Sequence, residues 1–185
     1  DNISVKEAPV IKWAPHNLLT YSEDFSEWFK YGGVIVTGGQ ANSLSNTNNA
    51  TYLETSSNGG GDNKISKSFS NSGSVAHTAS FFAKYDSGSG WILSFTGNSC
   101  GAWFDIKNGA TGTIQGNADS ASIIDVGNGW YQCSYTGVYT NNSLLAIELA
   151  DNNNSSNGLI GDSAYIYGAH VYRSDLGGMV NNPAQ

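Results

Sequence analysis

The sequence predicts an all-β domain, a sandwich or barrel of antiparallel strands, and three observations carry that prediction. Gly, Asn and Ser are abundant, with 23, 21 and 25 copies among 185 residues. They favour turns over helix interiors because they relax the backbone or bond to it outside helical geometry. The five Trp, ten Tyr and seven Phe supply the large apolar groups that a disordered polar chain lacks. Short segments rich in β-branched and aromatic residues also recur about every ten residues between Gly/Asn/Ser/Asp clusters. No segment keeps a 3.6-residue apolar period for three turns.

Strands are expected over residues 34–37, 51–54, 64–69, 75–84, 91–96, 102–106, 122–126, 130–139, 144–150 and 164–173. A single turn of helix over 22–28, capped by Ser22, is the one helical expectation. Alternation assigns the faces of the later strands. Tyr131, Cys133 and Tyr135 oppose Trp130, Gln132 and Ser134. Leu145, Ile147 and Leu149 oppose Ala146 and Glu148. In the last strand, Tyr165, Tyr167, Ala169 and Val171 alternate with Ile166, Gly168, His170 and Tyr172. Residues 1–15, with Pro9 and Pro15, read as a linker or the last strand of a preceding module. Residues 16–175 form the sandwich, and 176–185 read as a C-terminal connector.

Charge and motif content narrow the chemistry. Fifteen acids against eight bases give a net charge of −7, which leaves no footprint for nucleic acid. No apolar run reaches the length that spans a bilayer, so membrane insertion is not expected. Cys100 and Cys133 are too few for a disulfide framework. Their apolar strand contexts favour buried thiols, with one bridge as the alternative. The histidines His16, His77 and His170 are scattered, no zinc-ligand spacing occurs, and no cofactor is called for. The acids Glu54, Asp105, Asp125 and Glu148 show no local pairing of the kind glycoside hydrolysis requires. There is no nucleophile elbow, and Asn58-Gly-Gly-Gly-Asp62 lacks the Lys-Ser/Thr of a phosphate loop.

Saccharide binding needs flat rings to stack on a sugar's apolar face, and amides, hydroxyls or carboxylates to meet its hydroxyls. Trp91 and Trp103, on either side of a Gly97–Gly101 turn, are the first candidate rings, with Tyr139 and Tyr172. Gln132, Glu148 and His170 are the candidate polar partners on the non-core faces of their strands. Core packing is the competing role for each ring.

Four stretches, His16-Asn-Leu-Leu-Thr-Tyr-Ser-Glu-Asp-Phe-Ser-Glu-Trp28, Val126-Gly-Asn-Gly-Trp-Tyr-Gln-Cys-Ser134, Tyr165-Ile-Tyr-Gly-Ala-His-Val171 and Arg173-Ser-Asp-Leu-Gly-Gly-Met179, carry a family resemblance. They resemble a jelly-roll β-sandwich module of bacteriophage tail-fibre and other virion proteins, itself similar to carbohydrate-binding modules. The resemblance implies a jelly roll of two antiparallel sheets in a non-enzymatic adhesion module at the virion's extracellular surface. It would engage cell-surface or matrix polysaccharide beside other virion subunits, as a homo-oligomer, a trimer in fibres of this kind. Related modules hold Ca²⁺ through an Asp in the last strand. Residues 165–171 have none, so Asp24, Glu54 or Asp162 would serve only in a different arrangement. A structural capsid or fibre element, and the binding module of a polysaccharide-degrading enzyme, are the competing expectations, with a small lyase or hydrolase behind them.

Overall fold

A computed structural model describes residues 17–174, apart from 42–43, 45–47, 58–62, 71–74, 98–99 and 140–142. The expected linker over 1–15 and connector over 176–185 lie outside the described residues. The strands are β1 (Phe29–Lys30), β2 (Val34–Ala41), β3 (Ala50–Thr55), β4 (Lys64–Phe69), β5 (Ala76–Ser87) and β6 (Trp91–Thr96). They continue with β7 (Cys100–Asp105), β8 (Ala110–Gly116), β9 (Ala118–Gly127), β10 (Trp130–Val138), β11 (Ser143–Ala150) and β12 (Ser163–Arg173). The fold is the expected jelly-roll sandwich. Sheet A runs β1-β4-β11-β6-β7-β8 and sheet B runs β2-β3-β12-β5-β10-β9. Every strand pair is antiparallel.

The two sheets meet because each presents an apolar inner face. Ile65, Ile92, Phe104, Leu145 and Ile147 come from sheet A, and Leu53, Phe81, Cys133, Tyr135 and Ile166 from sheet B, all buried in one cluster. Removing such side chains from water contributes roughly 1.5–3 kcal/mol each for the larger ones. Both cysteines are free thiols in this core. Burial pushes the Cys100 thiol up to about 11 against a weaker opposing hydrogen bond from Thr96, and pushes Cys133 higher still.

Two expectations are corrected here. The helical turn is a 3₁₀ turn, Phe25–Glu27, and Asp24 caps it instead of Ser22, its carboxylate accepting the Ser26 amide. Ser22 is buried, and its carbonyl accepts the Ala169 amide. The last strand does not alternate as a single run. Tyr167 pairs with Phe82 and His170 with Ser80, so Gly168 and Ala169 oppose Phe81 alone. This two-against-one bulge, with Gly168 at φ 56°, shifts the phase by one residue. Ile166, Ala169 and Val171 therefore point into the core, and Tyr165, Tyr167, His170 and Tyr172 share the outer face.

Candidate functional site

Register across sheet A assembles its outer face. Phe29, Ser66, Ala146, Phe95, Gly101 and Gln115 lie in one row across all six strands. The residues between Phe29 and Phe95 are small, so the rings stand above a low floor of Ser66 and Ala146. The adjacent row holds Lys64, Glu148, Leu93 and Trp103, and the next places Trp91 between Ala150 and Asp105.

At the β1 edge of this face, Phe29 and Tyr31 are 64% and 36% exposed. Their ring centroids are 4.6 Å apart at 52°. They line a groove of about 520 Å³ with Ser66, Lys67, Ser68 and Leu144. The Lys64 ammonium lies 5.1 Å from the Tyr31 ring and 5.7 Å from Phe95, linking the groove to the centre of the sheet. Lys67 donates to the Glu27 carbonyl at 3.3 Å and lies over the Tyr21 ring at 4.4 Å. Exposed rings beside the exposed Ser68 hydroxyl match the apolar faces and hydroxyls of a sugar.

The far side of the same face is closed. Trp103 is 6% exposed and its indole N–H donates to the Ser155 carbonyl at 2.6 Å. The Thr113 amide donates to Asn153 Oδ1 at 2.8 Å, so the segment after β11 is tied down over Trp103 and the β8 edge. Trp91 is half-buried and packs so closely on Gly112 that a Cβ there would stand 2.6 Å from its ring. Glu148 points outward yet is 1% exposed, directly opposite Lys64 in register.

The seven residues singled out from the sequence do not form one site. Trp91, Trp103 and Glu148 share the outer face of sheet A. Gln132, His170 and Tyr172 share the outer face of sheet B, a sandwich thickness of about 10 Å away. Tyr139 belongs to neither: it is buried in the core, stacked on His77 at 5.3 Å and edge-on to Phe69 at 6.2 Å. Burial raises its hydroxyl well above the ordinary tyrosine range. The alternation that sends Cys133 and Tyr135 inward sends Tyr139 inward too, so the signal against it was in the sequence. His170 is also nearly closed to solvent, and burial lowers its imidazole while the Glu23 carboxylate opposes the shift. Glu23 accepts the Tyr167 hydroxyl at 2.7 Å and the Asn49 amide at 3.2 Å. Phe29 and Tyr31, which line the groove, and Lys64, beside Tyr31, are not among the seven candidates. A two-residue strand has no period to read, although ring, lysine, ring over 29–31 is a usable signal.

Glu27 lines the groove, whereas Asp105, Asp125 and Asp162 are committed to backbone amides elsewhere. Asp105 accepts the amides of Lys107 and Asn108 at 3.1 and 3.0 Å, closing the turn after β7. Asp125 accepts the Gly127 amide at 2.8 Å. Asp162 accepts the amides of Ser89 and Leu159, each at 2.8 Å. Among the described residues no three His, Cys, Asp or Glu side chains are placed to hold a metal ion, and no helix is long and apolar enough to cross a membrane.

The chain matches no family model and no curated protein by sequence. Solved structures share its fold. The CBM22-1 xylan-binding domain of Paenibacillus barcinonensis Xyn10C aligns with a TM-score of 0.50 and 17% identity, covering 86% of this chain and 96% of that one. The CBM22-1 and GH10 modules of a Clostridium thermocellum endo-1,4-β-D-xylanase, solved with xylohexaose, align with a TM-score of 0.50 and 13% identity over 85% of this chain. The enzymatically active domain of tailspike protein 4 from bacteriophage CBA120 gives 0.49 and 17% over 85%. The chain spans only 28% of the xylanase chain and 21% of the tailspike chain. The fold is thus that of carbohydrate-binding-module sandwiches.

Proposed function

We propose that this domain binds polysaccharide without cleaving it, through the groove on the outer face of sheet A. The observation that carries the reading is the exposed Phe29–Tyr31 ring pair set beside Ser66, Ser68 and the Lys64 ammonium. The rings supply stacking area, the exposed Ser68 hydroxyl meets sugar hydroxyls, and the Lys64 ammonium braces the Tyr31 ring. Among the described residues that line the groove Glu27 is the one carboxylate, so no carboxylate pair faces across it for acid-base work. The shared fold with two xylanase-associated modules supports the same reading.

The motifs around residues 16–28, 126–134, 165–171 and 173–179 favour a setting on a phage virion appendage. There the domain would adhere to cell-surface or matrix polysaccharide beside other virion subunits, as a homo-oligomer. Weak sites displayed together gain avidity through effective concentration. The xylanase modules at a TM-score of 0.50 favour a second setting, as an accessory module beside a catalytic domain.

Affinity electrophoresis of the isolated and the multimerised domain through xylan, galactan, mannan and β-glucan gels tests the reading. Retardation on at least one gel is expected, reduced tenfold or more in Phe29→Ala/Tyr31→Ala. Free migration of every form, or an unchanged double variant, would overturn the groove as the site. Reducing-end release from the same polysaccharides would overturn the non-catalytic reading.

A further inference from the structure

The groove does not end at Ser68. A second cavity of about 410 Å³ lies beyond it, lined by Leu18, Thr20, Ser68, Phe69, Ser70 and Ser143. Ser68 lines both cavities. They share one strand pair as a floor, because Ser68 sits opposite Leu144 of the groove and Phe69 opposite Ser143 of the second cavity. The two lobes thus succeed each other along β4, and the run from Ser66 to Ser70 spans about 13 Å. That is longer than one sugar ring.

Main-chain pairing explains why the trough exists. The Tyr31 amide donates to the Lys64 carbonyl at 2.9 Å, so Lys64, Ser66 and Ser68 turn their main-chain groups toward β1 by the alternation of an antiparallel ladder. β1 begins at Phe29, opposite Ser66. Glu27, which a longer β1 would set opposite Ser68, belongs to the 3₁₀ turn instead. Its amide donates to the Asp24 carbonyl at 3.4 Å, and its carbonyl accepts the Lys67 ammonium at 3.3 Å. Among the described residues no strand therefore meets the Ser68 amide and carbonyl on that side, and Ser68 is exposed. A donor and an acceptor of fixed direction stand where the two lobes join.

The lobes differ in chemistry. The groove offers the Phe29 and Tyr31 rings, whereas the second lobe offers exposed Thr20 and Ser70 hydroxyls above half-buried Leu18 and buried Phe69. Its wall is fixed, since the Leu18 amide donates to the Val171 carbonyl at 2.8 Å and Asn17 Oδ1 accepts the Leu19 amide at 3.1 Å. A stacking lobe followed by a hydroxyl lobe suits consecutive units of one chain, the first held by its face and the next by its edge.

We infer that the saccharide site is a two-lobed trough taking a run of consecutive sugars, stacked at Phe29 and Tyr31, hydrogen-bonded by the Ser68 main chain at the junction, and met by Thr20 and Ser70 beyond it. This rests on the reading of the groove as the saccharide site and adds selection for chain length to it. A disaccharide fills the ring-lined lobe alone, and a longer oligosaccharide reaches both.

Isothermal titration calorimetry with xylo-, galacto-, manno- and cello-oligosaccharides, from dimer to hexamer, tests the inference, with melting temperature as the control for folding. In the series that binds, the wild type is expected to gain tenfold or more in affinity between dimer and hexamer. Thr20→Leu/Ser70→Leu fills the second lobe with side chains that neither stack nor hydrogen-bond. It is expected to bind the dimer within about threefold of wild type and to lose the gain on the hexamer. Ser68→Pro removes the amide donor and spares the ladder to β11, because proline is tolerated in a strand where its nitrogen faces away from a partner. It is expected to lose tenfold or more on the hexamer, where Ser68→Ala loses less than threefold. Equal wild-type affinity for dimer and hexamer, or a leucine variant that keeps the gain, overturns the second lobe and leaves the groove standing. A folded Ser68→Pro that binds the hexamer as Ser68→Ala does overturns the main-chain contact. A wild type retarded by a polysaccharide gel yet binding no oligosaccharide overturns the trough. Binding at every length that survives Phe29→Ala/Tyr31→Ala overturns the groove and the trough with it.

Discussion

Deletion of Gly168 tests whether the phase shift in β12 is one inserted residue and nothing more. With Tyr167 opposite Phe82 and His170 opposite Ser80, removing Gly168 places Ala169 opposite Phe81 and leaves a regular ladder. Ala169 and Val171 stay in the core and His170 and Tyr172 stay outside. The cost is therefore expected within about 1 kcal/mol, the scale of a strand glycine's own entropic penalty. Gly168→Ala keeps the extra residue at φ 56° and adds a Cβ, for about 1–2 kcal/mol. In a domain of this size that is a melting-temperature loss of roughly 2–8 °C. Deletion of Ile166, fully buried between outward Tyr165 and Tyr167, is the contrast. It forfeits about 1.5–3 kcal/mol of apolar burial and turns one of the two tyrosines inward, at about 1–3 kcal/mol for an unpaired hydroxyl. Urea melts of the three variants decide the matter. Deletion of Gly168 as damaging as deletion of Ile166 would refute the bulge as a simple two-against-one insertion.

Further outcomes follow from burial and from one hydrogen bond. Cys100, raised from 9.0 to about 11, holds on the order of a hundredfold less thiolate at pH 8 than a free thiol, so Ellman's reagent should label it only on unfolding. Because its folded value is the higher one, its contribution to stability is complete below about pH 9 and is lost as pH rises toward 11, visible as falling urea midpoints. His170 has the opposite sign: its folded value is lowered, so stability holds above about pH 6.5 and declines as acid forces a proton onto the buried ring. His170→Gln should flatten the drop in urea midpoint between pH 7.5 and 5, and an unchanged slope would contradict the assignment. Trp103→Phe removes the indole donor to Ser155 and should cost about 1 kcal/mol, with faster amide exchange across 153–158. Unchanged exchange there would show that the indole bond does not anchor the segment.

Much of the sandwich was legible because its strands follow simple periods. β4 and β6 fall on the expected 64–69 and 91–96, and the inward placement of Cys133, Tyr135, Leu145 and Ile147 is plain alternation. β8 is not legible because Ala110–Gly116 sits at a sheet edge, carries three polar residues and two glycines, and has no apolar face to announce it. β1 is too short for any pattern. The faces of β12 depart from plain alternation because a bulge inserts one residue that no alternation rule can see. The candidate site is the least legible part, because shared chemistry does not imply shared strand parity: Trp91 and Gln132 lie on opposite walls and Tyr139 between them. What the sequence lacked was cross-strand register, which set Phe29, Ser66, Ala146 and Phe95 in one row from four separate stretches.

The segment at 17–22 runs antiparallel to the end of β12. The Leu18 amide bonds to Val171, the Asn17 carboxamide clamps Ala169 and Val171, and Ser22 receives Ala169. Residues 17 and 174 therefore leave the sandwich at the same end. Tension applied between them would load these bonds one after another, as a zipper opens, instead of shearing the sheet all at once. The 17–22 flap would thus part first under load, while the groove wall on β4 and β11 remains seated behind it.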